Sequence, residues 1–84
     1  MEEKEIGTVT HYFTNISVGL IQLDDALKVG ETIHFKGHTS DFTQTVASMQ
    51  IEHLNVKEAK AGDCIGMKVK DHVRQYDKVY KVIA

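Results

Sequence analysis

The chain has 84 residues, 12 acidic and 10 basic side chains, a formal net charge of −2 and one cysteine. That length suits a single domain near the lower limit at which one core holds without disulfides or metal, the charge speaks against a strong nonspecific nucleic-acid binder, and a lone cysteine excludes an internal bridge. The start, MEEKE, is charged and no apolar run approaches the ~20 residues of a membrane span, so the expectation is a soluble cytoplasmic protein without signal peptide or membrane anchor.

In chain order, residues 4–13 read as a first strand in which Ile6 and Val9 flank Gly7; their spacing of three predicts a β-bulge. Asn15 marks a turn. Residues 16–23 form a nearly continuous apolar run containing Gly19, where the missing side chain permits close approach of another strand. Residues 24–31 read as a compact connection, with Leu27 and Val29 tucked under the fold and Gly30 reversing the chain; a single helical turn fits there. Residues 32–36 alternate, placing Ile33 and Phe35 inward and His34 and Lys36 outward. Gly37 ends that strand, residues 39–42 make a polar loop, and a long strand rich in Thr and Val starts at Thr43.

The most informative stretch is VASMQIEHLNVKEAKAGDCIGMKV, residues 46–69. Val46, Met49 and Ile51 belong to one strand, again with a spacing of three that implies a bulge. Val56, Ala59 and Ala61 are apolar points in a polar crossing. Gly62 and Asp63 form a turn, because Gly tolerates positive φ and Asp bonds its own local backbone. Ile65, Met67 and Val69 then alternate with polar positions, so Lys68 and Lys70 face outward. A polar loop through Tyr76 and Asp77 leads into residues 78–83, which close against the first strand. No proline, sustained helical period, linker or repeat interrupts this series. It predicts an all-β fold, a single closed or partly closed barrel of about six mainly antiparallel strands over residues 1–84, with 1–4 as a disordered start.

The turn containing Ala59, Ala61, Gly62, Asp63 and Gly66, the segment LKVGETIHFKG and the opening IGTVTHYF together resemble the second, β-barrel domain of elongation factor Tu-type translational GTPases. The whole chain is similar to small stand-alone translation elongation factor-like proteins. A similar barrel occurs as the C-terminal domain of the collagenase-like peptidase family, whose better-understood members act in RNA modification. The resemblance implies a binding module that contacts tRNA or ribosomal RNA. It does not carry GTP binding with it, because the chain has no Gly-x-x-x-x-Gly-Lys-Ser/Thr loop.

The residues themselves offer little chemistry. His34 and His38 have a spacing suited to one helix face, whereas this segment reads as strand and turn, so no metal site is expected. Cys64 lies beside Asp63, which disfavours a thiolate, and the acids fall in turns. Met49 and Met67 read as core. Most aromatics are needed there too, leaving Tyr12, Tyr76 and Tyr80 as candidate stacking residues. The chain is therefore expected to be no enzyme and to need no cofactor. Charge divides unevenly: residues 1–42 hold three Lys against seven acids, residues 43–84 seven Lys or Arg against five. Lys68, Lys70, Arg74 and Lys78 are the candidate nucleic-acid contacts. The alternative is a protein-docking module, using the barrel rim or a strand edge, that complements a larger enzyme or GTPase lacking this barrel.

Overall fold

The computed structural model describes residues 2–37 and 40–83. The described residues contain ten strands and no helix: β1 (Glu3–Phe13), β2 (Val18–Leu23), β3 (Leu27–Lys28), β4 (Thr32–Lys36), β5 (Asp41–Thr45), β6 (Met49–Ile51), β7 (Leu54–Val56), β8 (Glu58–Ala59), β9 (Cys64–Lys68) and β10 (Lys78–Val82). Eight form one antiparallel sheet in the order β5-β4-β10-β1-β2-β9-β6-β7, and β3 pairs with β8 in a second, two-stranded sheet.

Alternation places the core. Ile33 and Phe35 on β4, Ile21 and Leu23 on β2, Ile65 and Met67 on β9, and Val79 on β10 all turn inward and are buried. Each fully buried Ile, Leu or Phe stabilises the fold by roughly 1.5–3 kcal/mol. The ring of Phe35 stacks on that of Phe42 at 4.9 Å. β1 is shared between two partners, β10 over its first half and β2 over the remainder, and its register slips between Glu5 and Gly7 and again between Val9 and His11. The first is the expected bulge; the second was not anticipated. The slip at Glu5–Gly7 lets Ile6 and Val9, three apart, both reach the core.

The Gly62–Asp63 turn forms as the sequence requires: Gly62 has φ +94°, and Asp63 Oδ2 accepts the Lys60 amide at 3.0 Å. Other expectations need correction. β1 starts at Glu3, whose carboxylate is held by His34 and Lys36. The expected long strand from Thr43 is two strands, β5 and β6. Val46 leaves the ladder between them because its amide and carbonyl bond Glu31 and Gly30 instead, an interruption rather than a bulge. That break, together with the short strands β3, β7 and β8 in the connections, raises the count above six. β3 stands where a helical turn was expected, and Val29 is exposed while Leu27 is buried.

No sheet closes into a barrel. The eight-stranded sheet curls until β5, at one end of the order, faces the end of β9, but no backbone ladder joins them. The Gln44 side chain spans the gap: its Nε2 donates to the Lys68 carbonyl at 3.1 Å and its Oε1 accepts the Lys70 amide at 3.0 Å. One carboxamide thus replaces the peptide groups of a missing strand pair.

The loop from β9 to β10 is not wholly polar. Val73 is fully buried beneath it and Asp77 is 5% exposed. Asp77 Oδ2 accepts the Arg74 amide at 2.9 Å, and the Asp77 carboxylate fills the space where a Cβ on Gly37 would lie. Gly37 is therefore required by packing at this corner, beyond its role as a strand terminator.

Candidate functional site

The outer surfaces of the sheet differ in kind. On one side β4 and β10 turn His34, Lys36, Lys78 and Tyr80 outward, because their intervening residues are committed to the core. His34 Nδ1 lies 2.7 Å from Glu3 Oε2, and Nε2 lies 2.5 Å from Asp41 Oδ1. Hydrogen bonding to Asp41, then to Glu3, raises the imidazole above its ordinary value against the opposing effect of burial. His34 in turn, followed by Lys36, draws Glu3 below the usual carboxylate range. Each ring nitrogen lies within hydrogen-bond reach of a carboxylate, so the protonated ring donates to both and ties β1 and β5 to β4. Lys36 completes the cluster, 3.2 Å from Glu3 Oε1 and 5.1 Å from the Tyr80 ring centre.

The other side is built from β1, β2, β9 and β6. The β1–β2 turn raises Phe13 and Ile16, which are 41% and 60% exposed. Val18 and Leu20 on β2 and Cys64 and Gly66 on β9 form a floor, and the β6–β7 hairpin with Glu52 and His53 forms the opposite wall. Together they line a half-open trough of about 490 Å³. Gly66 keeps the floor low, since a Cβ there would come 3.3 Å from Leu20 Cδ2.

The nucleic-acid candidates do not share one strand face. Lys68 ends β9, Lys70 and Arg74 lie exposed in the loop after it, and Lys78 opens β10, where its ammonium is 3.3 Å from Thr8 Oγ1 and 3.8 Å from Glu5 Oε2. Of the aromatic candidates, Tyr76 is 75% exposed, while Tyr12 packs against the core and the His72 ring, and Tyr80 lies beneath Lys36. His38 lies outside the described residues; both nitrogens of His34 are already engaged by carboxylates. No cluster of three or more potential metal ligands occurs among the described residues. Cys64 is an exposed thiol on the trough floor.

The trough was missed in the sequence, although one signal for it was present. In residues 16–23 apolar side chains occupy both faces of the strand: Ile21 and Leu23 serve the core, leaving Val18 and Leu20 to the outside.

Comparison with known proteins changes the family reading. No family model matches the chain. It is 42% identical over 77 residues to an uncharacterised protease of Methanocaldococcus jannaschii. That match covers 90% of the chain but 19% of the relative, so the chain spans about a fifth of the curated relative's length. Among solved structures, the C-terminal domain of a Geobacillus thermoleovorans protein described as a U32 peptidase superposes with a TM-score of 0.89 at 20% identity, covering 95% of this chain and 93% of that one. The selenomethionine variant of that domain gives 0.86 at 20% identity, covering 90% and 96%.

These are peptidase-associated relatives. The reading as a translation elongation factor-like protein is therefore corrected: the glycine-acid turn and the alternating strands that suggested it shape a small β-fold and do not distinguish the two families. No described helix is long and apolar enough to cross a membrane.

Proposed function

We propose that the chain is a protein-docking module that completes a larger, peptidase-related protein and contributes no catalytic group of its own. The observation that carries this reading is the apolar trough between Ile16 and the β6–β7 hairpin, on a molecule whose opposite face satisfies its charges internally. Apolar surface left open at a concave site favours a protein partner that covers it. The likeness to a domain of a longer protein agrees with this role, and a cytoplasmic setting fits a single free thiol.

An affinity pull-down from native extract tests the reading. A stoichiometric protein retained after nuclease treatment and in high salt supports docking. Recovery of RNA alone, lost with rising salt and in a K68E/K70E variant, would instead favour the lysines as a phosphate-binding surface.

A further inference from the structure

We infer that the trough receives an apolar, otherwise uncharged segment of the partner protein, flanked by a lysine or arginine that meets Glu52. This rests on the docking reading and adds the chemistry of the occupant. The floor offers Val18, Leu20, Cys64 and Gly66, with no acidic or basic side chain among them. Of the residues lining the trough, Glu52 is the one acid, and it takes part in no ion pair among the described residues. The apolar floor offers no donor to phosphate, so an apolar segment suits it better than RNA. A second copy of the chain would bring its own Glu52 against this one if two troughs met face to face, and the test below distinguishes it.

The position of Glu52 is fixed by backbone geometry. Ile51 pairs with Leu54, so β6 and β7 are joined by two residues, and Glu52 and His53 have φ of 51° and 67°. A two-residue hairpin turn with both central residues at positive φ is ordinarily filled by Asn-Gly. Here a glutamate and a histidine occupy those positions, which places Glu52 at the tip of the hairpin that walls the trough.

Two blocked synthetic peptides with the same short Leu, Ile and Phe core, one flanked by lysine and the other by glutamate, provide the test. They would be titrated into the isotope-labelled full chain and followed by amide chemical shifts. The expected result is saturable movement at Ile16, Leu20, Cys64 and Gly66, with the lysine peptide binding about two- to fivefold more tightly. E52K should reverse the order. E52N/H53G, which gives the turn its favoured residues, should keep the fold and bind both peptides equally.

Absence of trough shifts with either peptide at millimolar concentration would overturn the inference, as would equal binding indifferent to E52K. Concentration-dependent broadening at the trough without peptide would overturn it by showing a second copy there. If the peptides fail while a nuclease-resistant partner is still recovered, docking survives and the proposed occupant does not. If no such partner is recovered, the docking reading itself fails.

Discussion

The ionic face over β4 and β10 and the apolar trough over β2 and β9 share one core but solve opposite problems. On the first, residues that alternation pushes outward find partners within the chain: Glu3, His34, Lys36 and Asp41 neutralise one another across three strands. On the second, Ile16 and Leu20 are pushed outward and left open to the trough, and Phe13 is met on one side by the edge of the His11 ring. A surface that meets its own needs contributes to stability, whereas one that does not is available for recognition.

Substitutions can separate the two, and the largest effect should come from the core beneath both. Ile65→Ala removes fully buried volume below the trough floor and should cost about 3 kcal/mol in urea unfolding. Gly37→Ala, at the end of the ionic strand β4, should cost about 2 kcal/mol, because its methyl group must displace the buried Asp77 carboxylate. His34→Gln should cost about 1 kcal/mol in the acidic range, and the loss should depend on pH.

The sign of that dependence follows from the two shifts. His34 is raised in the fold, so its contribution is complete below its ordinary value of 6.5 and fades as pH rises through its higher folded value. Glu3 is lowered, so its contribution is complete above 4.5 and fades as pH falls through its lower folded value. The stability gap between the parent and His34→Gln should therefore be widest from about pH 4.5 to 6.5 and narrow on either side, as read by thermal unfolding across a pH series. The smallest effect on stability belongs to the trough: Ile16→Glu should stay within about 0.5 kcal/mol of the parent while the recovered partner is lost in the pull-down. A destabilisation like that of Ile65→Ala would mean that the trough is structural after all.

What could be read from the sequence was what alternation writes locally. β4 and β9 have clean periods of two, and Ile33, Phe35, Ile65, Met67 and Val69 are buried as expected. The glycine-acid turn carries its own backbone chemistry and was equally legible. The ionic cluster was not, because Glu3 meets His34 across β10 and nothing near His34 in the chain announces it. His34 was compared with His38 because they are neighbours in sequence, and strand pairing gave it different partners. Val73 was hidden for a related reason: a single apolar residue in a polar loop has no period to reveal that the loop folds back over the core. The trough combines two turns from separate parts of the chain, so its floor had a signal in residues 16–23 but its far wall had none.

The carboxamide of Gln44 gives the fold an unusual mechanical freedom. A cylinder closed all round by peptide ladders must rupture a row of backbone bonds before it can widen, whereas this open sheet can widen between β5 and the end of β9 by releasing side-chain bonds, those of Gln44 and the bond from Ser40 Oγ to the His72 carbonyl. Amide exchange at Lys70, whose proton that side chain holds, would register such breathing ahead of any global unfolding.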